Sequence, residues 1–407
     1  MERSHELARR PVETNASTSD TVLICFSHLR WGFVWQRPQH LLTRAARDYR
    51  VLYVEEPVFE AGATPHLRRY AEPSGVTLLV PVLPDRLGSL DIDGAQASLI
   101  RDLLAEQPFK RLIAWYYTPM AMPFTASLPA DLRVYDNMDE LSAFRGASPE
   151  MLANEAQLFS CADLVFTGGR SLFEAKRGRH SDVHLFPSSI EYDHFAAARS
   201  LDPDGPADQA GIARPRLGFA GVIDERMDLG LVRCVAQARP DWQIIMVGPV
   251  VKIDPVNLPR DPNVHWLGGR PYPELPGYMA GWDCALMPFA LNESTRFISP
   301  TKTPEYLAAG LPVVSTRIAD VVEPYGRLGL VQIADEPEEF VAAVERCLRQ
   351  PAAERRRNAD AFLSLGSWDG TWASMRRLID DGLARPSGRG ARQISGEATC
   401  LAVSPAE

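Results

Sequence analysis

Residues Asn292–Thr316 read NESTRFISPTKTPEYLAAGLPVVST, and the pattern of this stretch decides the fold. An apolar run, Ala285 to Phe289, leads into a polar loop. A short helix opens at Ser299-Pro300-Thr301-Lys302, Gly310-Leu311-Pro312 stops it, and the β-branched pair Val313-Val314 begins a strand. Ser299 or Thr301 is suited to cap the helix, and Pro300 fits its first turn because an N–H there has no intrahelical partner. Such a helix start offers free amides and the positive end of a dipole, which together attract an anion. Lys302 adds a formal charge, and Glu305, about one turn on, can accept hydrogen bonds from hydroxyls. Phosphate beside a polyol is what a nucleotide sugar presents. The plain alternative is an ordinary capped helix with Lys302 and Glu305 in solvent, so the rest of the chain must separate the two.

Outward from this unit the same alternation recurs. Thr21 to Phe26 (TVLICF) is apolar throughout, as a parallel strand buried on both faces should be, and helical spacing follows from Gln39 to Arg47. Further strands are predicted at Val51 to Val54, Val76 to Val82, Leu112 to Tyr116, Arg133 to Tyr135 and Leu164 to Thr167, with helices between several of them. Around Ile190 to Ala213 the pattern dissolves into DPDGPADQAG, and it restarts at Arg216 to Phe219, Gln243 to Val247, Val264 to Leu267 and Ala285 to Met287. Strands alternating with helices give an α/β architecture of two Rossmann-like parallel-sheet domains, with a ligand held in the cleft between them. The predicted bounds are an unstructured lead (1–20), a first domain (21–195), a linker (196–213), a second domain (214–367), a last helix (368–383) carrying Trp368, Trp372, Met375, Leu378 and Ile379, and an unstructured tail (384–407).

Composition narrows the function classes. The chain has 407 residues, too many for one typical core, with 45% hydrophobic and 23% charged residues and a formal net charge of -9. That balance argues against a general nucleic-acid binder, which needs a basic surface. Six cysteines are scattered without a C-x-x-C pair and read as reduced core thiols, which points to the cytoplasm. The first twenty residues lack an apolar signal core, and no run approaches a membrane span, although a peripheral contact at the inner face of a membrane stays open.

Four loops at strand ends concentrate polar residues. Ser27 to Arg37 combines His28, Gly32, Trp31, Trp35 and Arg37; glycine lets a backbone approach a ligand, and the tryptophans either stack on a sugar or lipid or pack beneath the loop. Asp136-Asn137-Met138-Asp139-Glu140 places three carboxylates after a strand, where Asp136 or Asp139 can orient or deprotonate an acceptor hydroxyl, or the group can start a helix. In Gly221-Val222-Ile223-Asp224-Glu225-Arg226 the arginine can meet a diphosphate or a neighbouring carboxylate, and Asp224 or Asp228 can cap the next helix. Gly268-Gly269-Arg270-Pro271-Tyr272 permits main-chain contact with a flat base, or is a simple turn. No His-x-x-x-His, clustered cysteine or strand-ending Asp-x-Asp signals a metal; a GxGxxG turn and a Walker loop are missing too. No metal and no cofactor are expected.

Together, SHLRWGFVWQRPQHL, YDNMDELSAF, GVIDERMDL and RFISPTKTPEYLAAGLPVVST resemble the two-domain GT-B glycosyltransferases of the family-4-like (group 1) retaining type, and more narrowly their teichuronic acid and cell-envelope branch. The likeness runs from about Val22 to Leu383. It implies an acceptor domain followed by a donor domain, a last helix crossing back to the first, and transfer from a nucleotide diphosphate sugar, with UDP as the base carrier, to a polysaccharide or lipid-linked acceptor. By the same resemblance Glu305 holds the donor ribose, Thr301 and Lys302 belong to the diphosphate cradle, Arg226 is the phosphate cation, Leu267-Gly268 the base-binding turn and Gly32 the first-domain glycine. Asp136, Asp139, Arg226 and Lys302 are the implied catalytic group. Two departures stand out: Phe297 occupies the first position of the family's Glu-x7-Glu, leaving Glu293 as the substitute, and Val222 stands where many members have an arginine. A nucleotide-sugar 2-epimerase of the same architecture and an inactive nucleotide-binding subunit are the alternatives.

Overall fold

The computed structural model describes residues 19–106 and 108–385; most of the predicted lead and tail lies outside the described residues. Among the described residues fifteen strands form two sheets. The first holds β1 (Thr21–Phe26), β2 (Arg50–Val54), β3 (Val58–Glu60), β4 (His66–Ala71), β5 (Thr77–Pro84), β6 (Arg111–Tyr116), β7 (Leu132–Asn137), β8 (Leu164–Thr167) and β9 (Val183–Leu185), in the order β3-β5-β2-β1-β6-β7-β8-β9 with β4 on β5. Every pairing is parallel except β4 with β5. The second holds β10 (Arg216–Ala220), β11 (Gln243–Val247), β12 (Val264–Gly268), β13 (Cys284–Met287), β14 (Val313–Ser315) and β15 (Gln332–Ile333), all parallel, in the order β12-β11-β10-β13-β14-β15. The central strands β1, β6 and β10 are apolar because helices cover both of their faces.

Each sheet carries its own core. Leu23, Trp115, Val134 and Phe166 lie on one face of the first sheet, and Val22, Ala114, Tyr116 and Val165 on the other. The helix Trp368–Ala384 returns to the first of these faces and buries Trp368, Trp372, Met375 and Ile379, while Trp372 Nε1 donates to Asp48 Oδ2 at 2.8 Å. The second core is built around Phe219, Ile245, Trp282, Tyr306 and Phe340. Gly218 in β10 lies against Trp282, where an added Cβ would come within 1.9 Å of the indole. Gly218→Ala should therefore cost about 1–3 kcal/mol through overpacking. Urea unfolding followed by Trp fluorescence measures this; an unchanged midpoint would show that Trp282 is free to move.

Two parts differ from the sequence expectation. Residues 196–213 are no free linker: Ala198 joins the second core, as does Phe195 at the predicted end of the first domain, and the fully buried Gln209 accepts from Trp282 Nε1 at 2.9 Å and donates to the Tyr278 carbonyl at 3.0 Å. The charged and proline-rich composition describes only the outer face of this strap. The helix Ala352–Leu363 is also unannounced by the sequence, because only Arg355, Ala359 and Leu363 turn inward.

Candidate active site in the interdomain cleft

The carboxyl ends of both sheets face one cleft, where open parallel sheets bind ligands. The domains touch across it. Ser188 Oγ donates to the Ser299 carbonyl at 3.0 Å, and Trp35 stacks on Tyr272 with ring centres 5.6 Å apart. Trp31 instead packs under its loop, 5.0 Å from Tyr53. Between the domains lies a cavity lined by Arg37 and Asp139 on one side and by Arg226, Thr301 and Lys302 on the other.

Lys302 lines this cavity. Its side chain runs across Gly221 so closely that a Cβ there would lie 2.2 Å from Cε and 2.5 Å from Nζ. Gly221 also has φ +146°, so glycine is required at this strand end for conformation and for space. The ammonium lies 5.4 Å from the Phe219 ring centre and, among the described residues, has no ion pair and no hydrogen bond. Burial, and then the positive charge of Arg226, push its pKa down to about 8. A half-buried cation without a partner among the described residues is matched by an incoming anion.

The helix behind it is shorter than the pattern suggests, spanning Lys302–Ala308. Thr301 is the N-cap but its hydroxyl does not bond the first-turn amides, Ser299 takes no part, and Pro300 stands before the helix while Pro304 sits inside it. The attraction for an anion therefore rests on Lys302 more than on a capped dipole. Glu305 is half-buried without a hydrogen-bond partner among the described residues. Burial raises its pKa to about 8, Glu191 adds to the rise, and Lys302 opposes it.

Arg226 takes the plain alternative and the functional one together. Its guanidinium forms a two-pronged pair with Asp224 (Nε–Oδ1 3.0 Å, NH2–Oδ2 2.7 Å), yet it faces the cavity and lies 5.4 Å from the ring centre of Phe144 in the opposite domain. Asp228, not Asp224, caps the following helix through the Leu231 amide at 2.8 Å.

The two aspartates after β7 part company. Asp136 is fully buried, and both its oxygens accept from Arg37 Nε at 3.0 Å. It does not line the cavity; it anchors Arg37, which does. This corrects the expectation that Asp136 meets an acceptor hydroxyl, since a carboxylate closed in by its own counter-ion has no face left for substrate. Asp139 does line the cavity, and burial pushes its carboxyl up to about 6 against the pull of Arg226. Glu140 is bound to Lys176 at 2.7 Å.

The other expected residues lie at the rim. Gly32 occupies an exposed turn, Leu267 packs on the second core, and Gly268 ends β12 with φ +75° while its carbonyl accepts from the Gly248 amide at 2.8 Å. None of the three lines the cavity. Glu293, the expected substitute for the missing glutamate, is 77% exposed beside Arg296, so it points to solvent. His28 is half-buried with its Nδ1 buried and unpartnered, and desolvation lowers its pKa to about 4, which keeps the ring neutral. Among the described residues no group of three metal-ligating side chains comes together. Sequence reasoning named Arg37 in its loop without giving it a role, and missed Gly221 as the seat of Lys302.

Comparison with known proteins bears on this geometry. Residues 214–350 match the family described as Glycosyl transferases group 1. That match falls within the second domain. The teichuronic acid biosynthesis glycosyltransferase TuaH of Bacillus subtilis is 30% identical over 268 residues, covering 60% of this chain and 66% of that protein, just under two thirds of its length. A UDP-forming alpha,alpha-trehalose-phosphate synthase from Burkholderia xenovorans, solved with glucose-6-phosphate, superposes with a TM-score of 0.65 at 12% identity, covering 88% of this chain and 100% of that one. Anabaena HepE in complex with UDP gives a TM-score of 0.61 at 16% identity, covering 89% and 100%. These likenesses show the GT-B fold, and the group 1 domain is the half that holds Arg226, Thr301, Lys302 and Glu305.

Proposed function

We propose that this protein is a glycosyltransferase that moves a hexose from a UDP-sugar to a hydroxyl of a cell-envelope polysaccharide or lipid-linked acceptor, with retention of configuration and without a metal ion. The observation that carries the proposal is the Lys302 ammonium, unpaired and turned into a cavity between two facing sheets. A departing diphosphate is the group that such a cation completes. Lys302 and Arg226 stabilise the charge that develops on the diphosphate, a service that a metal ion gives elsewhere. Thr301 contributes its backbone beside them. Glu305 takes the ribose hydroxyls, and the Leu267–Gly268 turn lies along the base. Asp139, ionised above about pH 6, orients the acceptor hydroxyl. Asp136 serves through Arg37, and Gly32 keeps the first-domain loop low beside the acceptor path. TuaH supports the envelope acceptor, and the relatives solved with UDP or named as UDP-forming support the donor base. The acceptor reaches the cleft at the inner face of the membrane, by peripheral contact; no described helix is long and apolar enough to cross a membrane.

Release of UDP from a panel of UDP-sugars, with envelope glycolipids as acceptors and EDTA present, tests the reading. Acceptor-dependent release and a product of unchanged anomeric configuration by NMR are expected. Sugar epimers without acceptor, or tight UDP binding without turnover, would contradict it.

Glu305 gives a separate prediction. Glu305→Gln should weaken UDP binding about twofold to tenfold, the range for a hydrogen bond between neutral groups, since Glu305 is largely protonated below pH 8. Pyrophosphate binding should stay unchanged, because the ribose contact alone is lost. Since burial already disfavours the Glu305 charge, the melting temperature should hold or rise. Equal loss for UDP and pyrophosphate would place Glu305 in the phosphate site instead.

A further inference from the structure

A second cavity, of about 270 Å³, opens in the first domain at the carboxyl ends of β1, β2 and β6. Its wall is apolar and aromatic, with Phe26, Phe59, Met120 and Phe124, and Phe59 remains 49% exposed at the mouth. Gln96 projects into it. This residue is only 5% exposed and lies on the inward stripe of the helix Ser89–Ala105 with Ile100 and Leu103, at positions where an aliphatic side chain is the default. Among the described residues its amide has no hydrogen-bond partner. The amide atoms are open to the cavity, so a ligand that both donates and accepts can match them, whereas one that does neither would desolvate them at a cost of about 1–3 kcal/mol. Thr118, 5% exposed, adds a hydroxyl whose oxygen already accepts from the Met120 amide at 3.2 Å and whose proton is free to donate.

We infer that this cavity is a binding site for a neutral pyranose ring, held by its hydroxyls on Gln96 and Thr118 and by its apolar face on Phe59. Charge disfavours an anionic ligand: Glu55 and Glu56 both line the cavity, no lysine or arginine lines it among the described residues, and Arg30 is bound to Glu55 Oε2 at 3.1 Å. A hydrocarbon chain is disfavoured because it would leave Gln96 unmatched. The site rests on the transferase proposal for its biological meaning. The donor cavity touches the ends of β7 and β8, two and three strand spacings from β1, or roughly 10–15 Å. The pocket would thus hold a sugar unit of the acceptor beyond the one that receives the transferred hexose.

Saturation-transfer NMR and calorimetry with methyl glucoside, cellobiose, maltose, glucuronic acid and decanol, each with UDP present, test the inference on the wild type, Gln96→Leu and Phe59→Ala. At least one neutral sugar should bind the wild type in the millimolar range, and both variants should weaken it about tenfold or more. Gln96→Leu should fold about as stably as the wild type, since leucine suits the inward stripe that position 96 shares with Ile100 and Leu103. UDP affinity should be the same in all three proteins. Preference for glucuronic acid or decanol, equal sugar binding in the variants, or no neutral sugar bound at tens of millimolar would overturn the site. Absence of UDP binding in the wild type would instead count against the donor proposal.

Discussion

Lys302→Met is expected to lower kcat/KM by a factor of about 10²–10³, the loss seen when one preorganised group facing developing charge is removed. The ammonium is the cavity's cation without a partner among the described residues: Arg226 shares its charge with Asp224, and Arg37 with Asp136. Because the side chain lies over Gly221 and the Phe219 ring, methionine keeps most of its volume and contacts, and the melting temperature should change little. The pH dependence gives the sign. With a pKa near 8 in the folded protein, well below that of a free lysine, Lys302 is about half protonated at pH 8. A bound diphosphate favours the ammonium, so binding takes up protons there, and affinity carried by Lys302 falls as pH rises through 8. Glu305 adds to the uptake, because a nearby anion raises its pKa too. Lys302→Met should reduce the uptake, measured by calorimetry in buffers of different ionisation enthalpy. Unchanged turnover in the variant would remove Lys302 from the mechanism.

Arg37→Met should destabilise the first domain by about 3–5 kcal/mol, because it leaves the fully buried Asp136 without its counter-ion. Arg37 also donates to the Phe186 carbonyl at 2.7 Å, so the change frees a second acceptor. Asp136→Leu alone should cost a similar amount by stranding the guanidinium. The double variant should recover much of the loss, since a well-packed apolar pair often equals a buried ion pair in stability. Urea unfolding of the three proteins measures the coupling. A double variant as unstable as the sum of the singles would show that Arg37 and Asp136 do not act as a pair.

The sheets were legible because strands such as β1, β6 and β10, covered on both faces, are written as unbroken apolar runs. β4 was not, since HLRRYA lies at an antiparallel edge and mixes charge with apolar residues. At the site, Lys302 stood out because it follows a polar loop between two strands. Its seat on Gly221, 81 positions earlier by numbering (302 − 221), depends on the tertiary approach of β10 and is not written locally. Asp136 misled for the same reason: its partner Arg37 is 99 residues away, and only the folded sheet brings the end of β7 beside the loop after β1. Arg226 and Asp224 are two residues apart, so that pairing was legible, whereas its place opposite Phe144 was not.

Calorimetric titration of UDP into the wild type and Lys302→Met at pH 8, without divalent metal, tests the central claim most directly. The expected result is UDP binding with net proton uptake in the wild type, and at least tenfold weaker binding with reduced uptake in the variant. Equal affinity in the two proteins, or no UDP binding by the wild type, would contradict it.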